Sequence, residues 1–171
     1  IFMSTVILGG VALQWPLGRL SDRFDRRRVI VAAFAGALAA SLGIALVGAP
    51  GPLLLALGAL FGGITFALYP LCVAHANDRL APEQRVAATG GLVLLYSAGA
   101  AAGPLAAGVA MTLTGTAGLF HFIALCAGST LCFGLWRQAR TRPVPAYRQL
   151  HYQVLPRTTP MSASLDPLAP E

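Results

Sequence analysis

Long apolar stretches separated by short clusters of charge set the rhythm of this chain. No Asp, Glu, Lys or Arg occurs before Arg19. Charge then gathers at Arg19, Asp22, Arg23, Asp25, Arg26, Arg27 and Arg28, and is absent from Val29 to Asn77. It returns at Asp78, Arg79, Glu83 and Arg85, and is absent again from Val86 to Trp136. One helix needs roughly 20 residues to cross a bilayer, so each gap is long enough for two crossings and predicts a helical hairpin with an uncharged turn. The first gap breaks at Gly48-Ala49-Pro50-Gly51-Pro52, where proline and glycine stop a helix. The second breaks at the Thr/Gly cluster from Thr112 to Gly118. The pattern predicts an all-α polytopic membrane protein with five transmembrane helices, at about 1–17, 29–48, 53–76, 87–111 and 118–136. These are spans A to E.

Composition agrees. Of 171 residues, 56% are hydrophobic and 11% are charged, against roughly 25% charged in a soluble domain. Mean hydropathy is +0.70. A soluble domain of this length has to cover its core with polar surface, and this chain lacks the means. The apolar content also excludes disorder for most of it. The net charge of +6 is made entirely with arginine, since no lysine is present.

Five spans place the A–B junction, the C–D junction and the tail on one side of the membrane. All twelve basic and six acidic residues fall on that side. The positive-inside rule makes it the cytoplasm, with the A–B junction and the tail deciding, because the C–D junction is charge-balanced. Topology therefore accounts for the arginines, and nucleic-acid binding is not expected. The first residue is Ile1, and span A begins inside an apolar run without a basic leader. That reads as a fragment cut in or just before a helix, not as a signal peptide. The expected organisation is a partial helical bundle over 1–137 and a disordered cytoplasmic tail over 138–171, rich in Pro, Arg, Thr and Ser. Cys72, Cys126 and Cys132 fall inside spans without metal-ligand spacing, so they read as apolar packing residues, and neither a metal nor a cofactor is expected.

The informative stretch is Gly18-Arg19-Leu20-Ser21-Asp22-Arg23-Phe24-Asp25-Arg26-Arg27-Arg28. It resembles the loop signature of the major facilitator superfamily (MFS), G-x-x-x-D-R-x-G-R-R, with Gly18, Asp22, Arg23, Arg26 and Arg27 at the matching positions. Asp25 stands where glycine is usual; Asp tolerates left-handed backbone better than most residues, so the turn is expected to survive. Gly18 lets helix ends approach. Asp22 can face the positive N-terminus of a neighbouring helix. The arginines can bridge to Asp78 or Glu83 at the end of span C, or to lipid phosphates. Such a cluster would hold helices together in one conformation and release them in another.

Gln14-Trp15-Pro16-Leu17-Gly18, Phe66-Ala67-Leu68-Tyr69-Pro70, Asn77-Asp78-Arg79, Leu95-Tyr96-Ser97-Ala98-Gly99 and Gly103-Pro104 extend the likeness. Over roughly 1–137 the chain is similar to the C-terminal half of the YcaD-like branch of the superfamily. The resemblance implies that spans A to E are the eighth to twelfth helices of a twelve-helix transporter, whose missing N-terminal half would be the obligatory partner. The same motif occurs in both halves, which are repeats of one another. The other register, helices two to six of an antiporter, is disfavoured by the tail and by the Tyr69-Pro70 region.

Within the spans, Gly99, Gly103 and Pro104 are candidates for a bent, closely packed helix, against ordinary small-residue packing. Gly58-x-x-x-Gly62-Gly63 and Gly9-Gly10 read the same way. Tyr69 and Tyr96 are deep enough to line the cavity between the halves, or to be packing. Trp15 and Trp136 fit interfacial belts. His75, a titratable residue in a span, is a coupling candidate, although charge three residues later places it near the interface. His121 falls at the opposite face. No span contains an acid or a lysine, so a coupling carboxylate would belong to the missing half.

The function expected is a secondary transporter moving an unidentified small solute across the bilayer by alternating access, in the bacterial inner membrane. A membrane-embedded enzyme needs convergent catalytic groups, and His75 and His121 lie at opposite faces. A non-transporting scaffold or sensor would need an appended folded domain, which the tail does not offer.

Overall fold

The computed structural model describes residues 1–47, 50–78 and 80–140, without the side chains of residues 82 and 83. Part of the first expected turn (Gly48, Ala49), Arg79, the side chain of Glu83 and the tail from 141 onward lie outside the described residues. Within them the chain is helical throughout, as α1 (Phe2–Arg23), α2 (Arg26–Leu46), α3 (Pro52–Asn77), α4 (Pro82–Thr114) and α5 (Gly118–Arg140), with no strand.

Helix ends follow local chemistry. α3 has Gly51 as its N-cap and proline in its first turn, where the missing N–H costs nothing. α4 also starts on proline, well before the expected position 87. It stops at Gly115, whose φ of 74° lies in the left-handed region that glycine enters freely. α5 continues to Arg140, past the expected bundle boundary at 137.

α1 differs most from expectation. It runs beyond position 17 through the whole first part of the motif, and the Phe24 N–H closes its last turn on the Leu20 carbonyl at 3.0 Å. Arg19, Leu20 and Arg23 are good helix formers, so the helix continues through this stretch. Phe24 is extended, and Asp25 caps α2 by accepting the Arg27 N–H at 3.1 Å. The junction is thus two residues rather than a loop. The left-handed turn expected at Asp25 is absent: its φ is −56°, and no described non-glycine residue has positive φ. Aspartate is there as a cap, which glycine could not supply with a side chain.

Four helices, α2 to α5, are long and apolar enough to cross a membrane. α1 has the length, 22 residues, against the roughly 20 required. Its apolar run, Val6–Leu13, is diluted by Ser4, Thr5, Gln14, Pro16 and Arg19.

α3 packs between α1 and α2; α2 also packs on α5, and α5 on α4. Val29, Ala67 and Leu71 form one core cluster, and Ala33, Ala37, Ile64 and Ala127 another. Lipid tails are as apolar as leucine, so close van der Waals approach drives helix pairing in a bilayer. The α1–α3 seam shows this. A Cβ on Gly9 would overlap the Ala59 backbone, and one on Gly62 the Val6 backbone; side chains at Gly10, Gly58 and Gly63 would strike Phe66, Phe2 and Leu13. α4 is the contrast, being mostly exposed, with Leu94, Leu95 and Leu105 each more than 70% accessible.

Candidate functional site

The charged ends of α1, α2 and α3 converge on one guanidinium. Arg26, the first residue of α2, is 1% exposed. Its Nη1 donates to Asp78 Oδ2 at 2.6 Å, and its Nη2 donates to Asp22 Oδ1 at 3.1 Å. Asp78 is the C-cap of α3 with its side chain 1% exposed; Asp22 lies in the last turn of α1 and is 28% exposed.

The helix dipoles give this cluster its character. A helix N-terminus is positive and disfavours a cation, and a C-terminus is negative and disfavours a carboxylate. Arg26 stands at an N-terminus, and Asp22 and Asp78 at C-termini. Each charge opposes its own helix by about 0.3–1 kcal/mol at exposed sites. The ion pairs across the helix ends offset this. Burial adds a desolvation cost that offsets much of the Coulomb gain. The result is a specific junction with a modest net energy.

Arg27 makes a second junction. It is 7% exposed, and its Nη2 donates to the Arg137 carbonyl at 3.0 Å. Gln138 Nε2 returns a bond to the Arg27 carbonyl at 3.0 Å, so α2 and α5 clasp each other reciprocally. Gly18 is buried, as is Ser21, while Arg23 is exposed. The Arg19 guanidinium sits 3.8 Å from the Trp15 ring centroid, a cation–π contact on the surface of α1.

The structure therefore brings Asp22, Arg26 and Asp78 together, and sets Arg27 against α5. Sequence reasoning missed Asp25 as a cap and Gln138 as Arg27's partner. The cap had a signal, an aspartate two residues before an arginine amide at a helix start. Gln138 had none: a lone glutamine past the last apolar run carries no signal for a backbone partner on α2.

Other candidates are dispersed. Tyr69 and Tyr96 pack on each other across α3 and α4, with ring centroids 5.1 Å apart and planes at 58°. Added Cβ atoms at Gly99 and Gly103 would meet nothing within 4 Å, so neither is closely packed against a described residue, and Pro104 lies inside α4 without interrupting it. His121 is exposed at the start of α5. His75 is half-buried at the other end of the bundle and lines a cavity of about 230 Å³ between α2, α3 and α5; neither tyrosine lines it. The three cysteines are free. No group of three or more His, Cys, Asp or Glu able to hold a metal exists among the described residues.

Comparison with known proteins identifies the family. The family model of the Major Facilitator Superfamily matches residues 1–162. Proteins named "Uncharacterized MFS-type transporter YcaD" from Salmonella paratyphi B and Salmonella newport are each 33% identical to this chain over 110 residues. The match covers 64% of the chain and 28% of each relative's length. No solved structure matches.

Proposed function

This chain belongs to the major facilitator superfamily, and is thus a multi-pass membrane protein; on that premise we propose that it is the C-terminal part of a secondary transporter that moves a small solute by alternating access. The five helices would correspond to the eighth to twelfth, with α1 crossing the bilayer beside α3. The arginine-bearing ends would face the cytoplasm of a bacterial cell, since Arg19, Arg23 and Arg26–Arg28 adjoin the membrane there. The remainder of the transporter would supply the other wall of the substrate path and the coupling group.

One observation carries this reading: Arg26 joins Asp22 and Asp78, three charges that each oppose the dipole of their own helix. Such a junction is made only when three helix ends are in register, and it yields when they separate. It is suited to a latch that closes the cytoplasmic side in one state and opens in the other. Gly18, Arg23 and Arg27 would position the helix ends around it, and Tyr69 and Tyr96 would face the path from α3 and α4.

The test is solute flux through the complete transporter in proteoliposomes, screened over a panel of small solutes. Flux of a solute by the wild type, with impaired flux but normal membrane insertion in Asp78→Asn, is the expected result. Unchanged flux kinetics in that variant would remove the latch, and no flux of any solute under any imposed gradient would remove transport.

A further inference from the structure

The cavity between α2, α3 and α5 is lined by none of Asp22, Arg26 and Asp78, and its lining changes character along the helix axis. At the charged end stand Arg27, His75, Arg137 and Gln138. Further in, the walls are Ile30, Phe34 and Phe133. From Arg27 to Phe34 the cavity runs about 10 Å along α2, at 1.5 Å rise per residue. Among the described residues no carboxylate lines it. It opens outward along α5, where Phe133 is 54% exposed and Arg137 is exposed.

A cationic mouth leading into an apolar slot, between three helices each apolar enough to cross a membrane, fits an amphiphile with an anionic head. We propose that this cavity binds an anionic phospholipid of the surrounding leaflet, with Arg27 and Arg137 at its phosphate and the first part of an acyl chain along Ile30, Phe34 and Phe133. Arginine suits the phosphate because its planar fork offers several donors at once. Arg27 is already held in place by its bond to the Arg137 carbonyl. A soluble phosphate would leave the slot unfilled, whereas the leaflet presents head and chain together at this depth. Anionic lipids are abundant in the cytoplasmic leaflet, and basic pockets between helices on that side recognise their headgroups. The proposal rests on the orientation given above only for which leaflet supplies the lipid.

The test is native mass spectrometry of the complete transporter released from detergent after incubation with phosphatidylglycerol or phosphatidylcholine. The unsubstituted protein is expected to retain phosphatidylglycerol preferentially, and excess glycerol phosphate is expected not to displace it. Arg137→Gln should lower retention on the order of tenfold, the size of one lost charge-assisted bond, and Arg137→Lys should restore most of it. Gly134→Leu should lower it as well, because a Cβ there points at Val31 Cγ2, 3.0 Å away, and fills the slot without changing charge. Equal retention of both lipids, displacement by glycerol phosphate, or unchanged retention in both Arg137→Gln and Gly134→Leu overturns the proposal. The lipid comparison needs no variant, so a misfolded mutant does not decide the matter. Retention is read by mass, so a protein that moves no solute can still pass or fail this test.

Discussion

Arg26 at the start of α2 reaches Asp78 at the end of α3 at 2.6 Å, and both side chains are 1% exposed. They lie far apart in the chain, and Asp22 of α1 shares the same guanidinium. Removing one member of a buried pair strands the other charge, which costs about 3–5 kcal/mol. Asp78→Ala should therefore lower thermal stability of the purified protein strongly. Asp22→Ala should lower it by about 1 kcal/mol or less, since that carboxylate is partly exposed and screened. Melting curves in detergent check the order; an equal effect of the two substitutions contradicts it.

The cap at Asp25 makes a finer prediction. Asp25→Ala should destabilise the first turn of α2 by about 1 kcal/mol, whereas glycine in place of alanine recovers part of the loss, because it costs only a few tenths at a cap. Hydrogen exchange at the Arg28 and Val29 amides, which bond the Asp25 carbonyl, reads this out: faster in Asp25→Ala than in Asp25→Gly.

Glycines on α3 and α4 should behave in opposite ways. Gly62→Leu drives a side chain into the Val6 backbone of α1, and overpacking of this kind costs about 1–3 kcal/mol or more. Gly99→Ala meets open space, and replacing a mid-helix glycine should leave this chain's stability unchanged or raise it by about 0.5–1 kcal/mol. Yield of monodisperse protein and its melting temperature distinguish the two.

The α2–α5 clasp is tested with Gln138→Ala. It removes the bond to the Arg27 carbonyl and should cost about 0.5–1.5 kcal/mol. The expected signature is local: faster exchange at the last turn of α5, with the α1–α3 seam unaffected.

Much of the fold was readable because a bilayer punishes charge so strongly. The exclusion of charged residues from 29–77 and 86–136 marked α2 to α5 directly. The breaks at 48–52 and 112–118 located the two turns, but not that α4 runs on to Thr114 before Gly115 ends it. α1 was harder, because its polar residues and its continuation into the motif blur the membrane boundary. At the charge cluster, sequence named Asp22, Arg26 and Asp78 but not which arginine joins which acid. Three consecutive arginines are indistinguishable until helical phase points Arg26 toward α3, Arg27 toward α5 and leaves Arg28 exposed. Tyr69 and Tyr96 could not be paired from sequence, because register between α3 and α4 is set by packing rather than by any local signal.

The backbone-to-backbone seam of α1 and α3 has a mechanical consequence. Where Gly9 lies on Ala59 and Gly62 on Val6, neither helix can roll about its own axis without carrying a neighbouring residue into the opposing main chain. The two therefore form a single stiff beam. A rearrangement that moves either helix has to carry the other with it as a unit.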